Sequence, residues 1–185
     1  GEIPPKITSD YIGDFNEIKN NLNQCIDGLD GLVESNAVLQ RMAVNDFTQK
    51  VNGNYKGIFA EVADATNVVL DHNLYVQDTV QEIAQGDLDR LEAYKKVGRR
   101  SENDSYLPAF IEMMQNIQNL VDDSTMLSKA GVDGRLDTRA DASAHPGAYG
   151  EIVHGVNSTL DYVVWPVMET IRVSEKYAAN NFTER

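Results

Sequence analysis

One short pattern occurs four times along the chain: an aromatic, any residue, Glu, an aliphatic, and then an Asn or Gln a little further on. The copies are Phe15-x-Glu17-Ile18 with Asn23, Phe59-x-Glu61-Val62 with Asn67, Phe110-x-Glu112-Met113 with Gln118, and Tyr149-x-Glu151-Ile152 with Asn157. A sequence that repeats at intervals of roughly 40 to 50 residues folds as an array, in which each copy buries its apolar face against a neighbour rather than in a core of its own.

Each copy is preceded by a second, shorter signal. Gly1-Glu2-Ile3, Asn45-Asp46-Phe47, Gly86-Asp87-Leu88, Gly134-Arg135-Leu136 and Asn180-Asn181-Phe182 all open on Gly or Asn, with helical patterns running between them. Both residue types tolerate a left-handed backbone, so each site predicts the end of a helix followed by an extended connector. The repeating unit therefore reads helix, stop, connector, helix. Gly1 to Tyr11 and Asn45 to Tyr55 are equal intervals, Gly134 to His145 is one residue longer, and Gly86 to Tyr106 carries a charged insertion. Around Lys95 to Asp104 that insertion reads as a solvated excursion. A connector of about ten residues, at roughly 3.3 Å per residue, runs back along a short helix, so two consecutive helices can start at the same end and pack in parallel.

The helices after each connector carry a narrow apolar stripe. Its members are Phe15, Ile18, Leu22, Cys25, Ile26 and Leu29 in the first copy and Phe59, Val62, Val69 and Leu70 in the second. The third copy has Phe110, Met113, Ile117, Leu120 and Val121, and the fourth Tyr149, Ile152, Val156, Leu160 and Val163. Steps of three and four define a seam like the a/d stripe of a coiled coil, which one pair of helices does not fully cover. The expectation is an all-α fold of parallel four-helix bundles made by a homodimer, with Cys25 as a small buried hydrophobe on the seam.

A helix, a Gly-Asp-Leu-like stop, a connector, and a helix opening as Glu17-Ile18 with Leu22-Asn23 resemble the HAMP domain, the linker module of transmembrane signalling proteins. The run from Gly13 to Asn23 is similar to the tandem HAMP arrays of methyl-accepting chemotaxis proteins and sensor kinases. The resemblance implies an elongated rod, a parallel dimer, helices continuous from one copy into the next, and relay of conformational signals rather than chemistry. The residues matching its signature are Glu17, Glu61, Glu112 and Glu151 at the helix starts, Asn45, Gly86, Gly134 and Asn180 at the stops, and Pro166, placed where HAMP first helices begin. Glu in a first helical turn is favoured by the helix dipole and is expected to take bonds from free connector amides. The acid expected just before the second helix is Asp14 in the first copy, but Ile58, Ala109 and Ala148 stand there elsewhere. The array divides as a partial copy over 1–30, copies over 31–71, 72–122 (with the insertion) and 123–165, and a partial copy over 166–185.

The distances from each Glu to the next stop are 28 residues for Glu17 to Asn45, 25 for Glu61 to Gly86, 22 for Glu112 to Gly134 and 29 for Glu151 to Asn180. Losses of three and six in a seven-residue pattern shift the seam, so neighbouring copies are expected to alternate between two bundle geometries.

Other function classes lose ground on composition. A net charge of −13 argues against nucleic acid and anionic membrane surfaces, and no apolar run approaches the roughly 18 to 20 residues that span a bilayer. One cysteine excludes an intrachain disulfide framework. His72, His145 and His154 have no metal-ligand spacing on one helix face, with His145 read as packing at a connector junction and His154 on an outer face. Neither Gln81-Glu82 as a modification site nor Met113-Met114 as a haem ligand outweighs an ordinary helical reading. The expectation is no enzyme, no cofactor and no metal, in a cytoplasmic segment of a longer, membrane-anchored receptor whose partners are its own second copy and its neighbouring domains. Alternatives are a passive dimerisation or spacer rod, a relay segment of a sensor histidine kinase, and a ligand-sensing helical bundle.

Overall fold

The computed structural model describes residues 2–179. Among them are five α-helices and one short 3-10 turn: α1 (Asp14–Met42), α2 (Ile58–Ala84), α3 (Leu91–Val97), α4 (Tyr106–Val132), the turn Ala142–Ala144, and α5 (Ala148–Ala178), with no strand among the described residues. The chain divides into two compact units, Gly1–Gly86 and Asp87–Arg185.

The helices end where the left-handed residues stand. Asn45, Gly86 and Gly134 have φ of 61°, 84° and 74°. At Asn45 the backbone closes a Schellman motif, with the Asp46 amide bonded to the Arg41 carbonyl and the Asn45 amide to that of Met42, both at 3.0 Å. Gly134 repeats it, through Arg135 to Ala130 at 2.8 Å and Gly134 to Gly131 at 3.2 Å. Asn180 lies outside the described residues.

In the first unit the connector after Asn45 doubles back along α1. Thr48 meets Arg41, then Asn52 and Gly53 meet Glu34, and the Tyr55 ring lies over Gly31. The chain has then returned far enough for Phe59, in the first turn of α2, to sit against Gly28, so α2 sets off beside α1 in the same direction. Val38 of α1, Val51 of the connector and Ala63 and Leu70 of α2 form the core, joined by Met42, Phe47, Tyr55 and Leu74. Gly28 and Gly31 open the notch that two aromatic rings fill: a Cβ on Gly28 would stand 2.1 Å from the Phe59 ring, and one on Gly31 2.9 Å from Tyr55.

In the second unit α4 packs on α3 and α5. Leu91 and Tyr94 of α3 are buried, as are Leu107 and Met114 of α4, and the Tyr94, Phe110 and Tyr106 rings follow one another at a tilt, with centroids 6.3 and 5.3 Å apart. The stretch expected to be solvated, Lys95 to Asp104, is exposed apart from half-buried Gly98 and Asp104. The buried face of α3 comes from Leu91 and Tyr94, three residues apart and just before that stretch.

α5 runs through Pro166, which the family resemblance placed at a helix start. Proline lacks the amide that would bond the Tyr162 carbonyl, and the helix tolerates the loss on a stretch where Tyr162, Trp165 and Val167 are exposed. Cys25 is also exposed rather than buried. It borders an open apolar groove of about 320 Å³ between the first connector and α1, beside Pro5, Ile7, Ile26 and Leu29.

Candidate functional site

The feature that recurs is a clamp between connector and second helix. In the first copy the Asn23 Oδ1 accepts from the Ile7 amide at 2.8 Å, and its Nδ2 donates to the Ile7 carbonyl at 3.0 Å. Asn67 holds Val51 in the same way at 2.9 and 2.9 Å, and Asn157 holds Ala140 at 3.1 and 2.8 Å. An extended connector has no ladder partner, and a primary amide matches one residue's N–H and C=O together, so a single side chain satisfies both groups.

An ion pair stands beside each clamp. The residue before the clamped one is basic, and the residue four after the Asn is Asp, one helical turn further on. Lys6 pairs with Asp27, Lys50 with Asp71 at 2.7 Å, and Arg139 with Asp161 at 2.8 Å. Arg139 also donates to the Leu136 and Thr138 carbonyls, closing its own connector. The third copy keeps the helix half of the device without the connector half: Gln118 donates to Asp122, its neighbour one turn on, at 2.8 Å.

Each clamped connector ends on a glycine that only glycine suits. Gly13, Gly57 and Gly147 have φ of 62°, 57° and 55° with ψ of −142°, −140° and −133°, a region closed to side chains, and each carbonyl accepts the first helical bonds of the helix that follows. In the third copy Pro108 stands at that place, inside α4. The helix starts earlier there, because the Asp104 carboxylate caps it by accepting from the Tyr106 and Leu107 amides at 3.0 and 3.1 Å. The Arg100 amide, with those of Leu107 and Tyr106, holds the Asp104 carboxyl below its usual range.

Two residues before the glycine, an aromatic donor reaches a carboxylate on the preceding helix. Tyr55 donates to Glu34 at 2.5 Å, and Glu34 also accepts from the amides of Asn52 at 2.9 Å and Gly53 at 3.2 Å. The Asn52 amide first, then the Tyr55 hydroxyl, keep the Glu34 carboxyl below its ordinary value, and Glu34 with burial pushes the Tyr55 phenol up to about 12. His145, with a side chain only 2% exposed, meets Asp123 at 2.7 Å in the fourth copy. Asp141, one turn of chain away, is held below the usual carboxylate range by the Ser143 hydroxyl and amide, with His145 adding to the effect.

Glu17, Glu61, Glu112 and Glu151 lie in or near the first turns of their helices, exposed, and none takes a hydrogen bond or ion pair among the described residues. The connector amides expected to bond them are taken instead by Asn23, Asn67, Asn157 and Glu34. Of the stripe residues, Phe15, Ile18, Leu22, Ile152 and Val156 are exposed, whereas Phe59, Val62, Phe110, Met113, Ile117 and Tyr149 are half-buried. His154 is exposed and meets Ser158 at 3.1 Å. Among the described residues there is no cluster of ligands that could hold a metal ion, and no helix is long and apolar enough to cross a membrane.

No curated protein and no solved structure matches the chain. The matched family model covers two stretches, one holding the first connector with Gly13 and Asn23, the other holding His145, Gly147, Asn157 and Pro166. That model is the HAMP domain, and it matches residues 1–31 and 144–185.

Proposed function

We propose that this chain is a signal-relay segment of a sensory transducer, built as a tandem array of HAMP-like copies and passing conformational change between a sensor and an output domain. The observation that carries the reading is α1, one uninterrupted helix from Asp14 to Met42 that begins after the connector of the first copy and ends at the stop of the second. It is the second helix of one copy and the first helix of the next. A rotation or shift of such a helix in one copy cannot be separated from its position in the other, and packed cores favour discrete arrangements over continuous deformation.

The array works as a parallel homodimer. Support comes from the apolar side chains that the single chain leaves uncovered on the stripe, Phe15 at 70%, Ile18 at 54% and Ile152 at 54% exposure among them. A second copy in the same direction places equivalent residues opposite one another and completes a four-helix bundle around them. The copies over 31–71, 72–122 and 123–165 alternate between two bundle geometries, as the unequal spacings between Glu and stop require. The array acts in a chemotaxis-type receptor anchored in a membrane, with the relay itself on the cytoplasmic side.

Single cysteines at Ile18, Val62, Met113 and Ile152, introduced with Cys25 replaced by Ser, test the arrangement. Disulfide formation between equivalent positions of two chains at all four sites is the expected result, with yields that alternate from copy to copy. A monomer at high concentration, or no cross-link at any site, overturns the reading.

A further inference from the structure

Two of the copies tie the end of the connector to the first helix by a bond that lies outside the repeated Glu and stop signals. The carboxylate stands eleven residues before the stop, Glu34 before Asn45 and Asp123 before Gly134, and the donor stands two residues before the helix-opening glycine, Tyr55 before Gly57 and His145 before Gly147. From these contacts we infer that the carboxylate and the aromatic form a brace that makes the start of the second helix follow the first helix, with Tyr55 and His145 as its positioning residues. The geometry stands by itself; the role in signalling rests on the relay reading.

The Asn clamp and the brace divide the work. Asn67 fixes the middle of the connector to α2, whereas Glu34 fixes Asn52, Gly53 and Tyr55 to α1. Only Lys56 separates Tyr55 from Gly57, whose carbonyl takes the amides of Ala60 at 3.0 Å and Glu61 at 3.2 Å and so opens α2. A displacement of α1 therefore moves the Tyr55 ring, and through one residue the anchor of the α2 first turn. Gly147 stands in the same relation to His145, accepting from Gly150 at 3.0 Å and Glu151 at 3.4 Å.

The two braces are fitted differently to the same place. Tyr55 is long and lies over Gly31; fourteen residues before the other stop, in place of Gly31, stands Leu120, paired with the shorter His145 and Asp123. The position that is Gly31 under the longer Tyr55 is Leu120 where the shorter His145 stands, as expected if the bond rather than the particular side chain is what the fold keeps. The third copy has Tyr75 at the carboxylate position and no glycine before its helix, so it supplies an internal control.

The test is amide hydrogen exchange, residue by residue, on the full chain carrying Tyr55→Phe, Asp123→Asn or Tyr106→Phe. Tyr55→Phe is expected to speed exchange about tenfold at Asn52, Gly53, Ala60 and Glu61 while Val51, held by Asn67, changes less than about twofold. Asp123→Asn is expected to do the same at Gly150 and Glu151 while sparing Ala140, and Tyr106→Phe to leave the Ala109 amide unchanged. If Tyr55→Phe fails to fold, Glu34→Gln, of equal size, must give the same pattern. Loosening of Asn52 and Gly53 without Ala60 and Glu61 overturns the inference, and so does an equal rise at Val51, which marks general destabilisation. The exchange pattern is read without any signalling output, so the brace and the relay can fail independently.

Discussion

Asn67 grips Val51 by both ends of its amide, at 2.9 Å to the backbone N–H and 2.9 Å to the carbonyl, and Val51 is buried in the core that α1 and α2 share. Removing the amide leaves both backbone groups without partners where water reaches poorly. Asn67→Ala is expected to cost about 2–4 kcal/mol by denaturant unfolding, whereas Gln118→Ala, whose side chain bonds only its own helix, changes stability by less than about 0.5 kcal/mol. Equal costs at the two sites would show that the clamp contributes nothing beyond an ordinary side-chain bond.

Gly57 turns the connector into α2 with φ of 57°, and a Cβ there would meet nothing within 4 Å. Space is free, so any penalty for Gly57→Ala comes from the backbone, about 1–3 kcal/mol. Gly155, in the middle of α5 and equally open, is the control: Gly155→Ala is expected to stabilise by about 0.5–1 kcal/mol. Thermal unfolding of both variants measures the difference, and the same sign for both rejects the backbone account.

At Gly28 the argument is steric. Its Cβ would sit 2.1 Å from the Phe59 ring, so Gly28→Ala gains helix propensity but must displace the ring, with an expected net loss of about 1–2 kcal/mol. In the Phe59→Ala background the same substitution is expected to stabilise instead. A double-mutant cycle with no coupling between the two sites would disprove the contact.

The pair of Glu34 and Tyr55 responds to pH at both ends of the scale. Glu34 is lowered from 4.5, so its stabilising effect is present above that value and is lost as pH falls through the folded-state value. Tyr55 is raised from 10.0 to about 12, so its contribution is complete below pH 10.0 and disappears as pH rises toward about 12. Tyrosinate absorbance should therefore lose a component near pH 12 when Glu34→Gln returns the Tyr55 phenol toward 10.0. A titration curve unchanged by Glu34→Gln would assign the shift to burial rather than to Glu34.

The helix stops were legible because a left-handed residue is chemically conspicuous: only Asn or Gly stands at positions 45, 86 and 134, and each has positive φ. The clamp was half legible. Asn23, Asn67 and Asn157 stood out, but what they hold is backbone, which has no letter in a sequence, and the basic residue before it and the Asp four after the Asn were readable signals only once paired. Glu34 and Tyr55 lie 21 residues apart on different elements, and nothing local links them. Cys25 followed the stripe in spacing, yet burial depends on what lies opposite, which periodicity does not specify. Pro166 was placed by analogy with a helix start, whereas its effect depends on whether the Tyr162 carbonyl can do without an amide.

Because α1 runs unbroken from the end of one connector at Gly13 to the start of the next at Asn45, changes of length are felt very unevenly. One residue added inside Asp14–Met42 swings everything beyond it by roughly 100° and turns the second connector away from the face on which α2 packs. One residue added to a connector is absorbed on the spot: the fourth copy has such a residue between Gly134 and His145, and there the chain folds Ala142–Ala144 into a turn while Asn157 and Asp123 keep their partners. Loops are where this protein can grow, and the helices set its ruler.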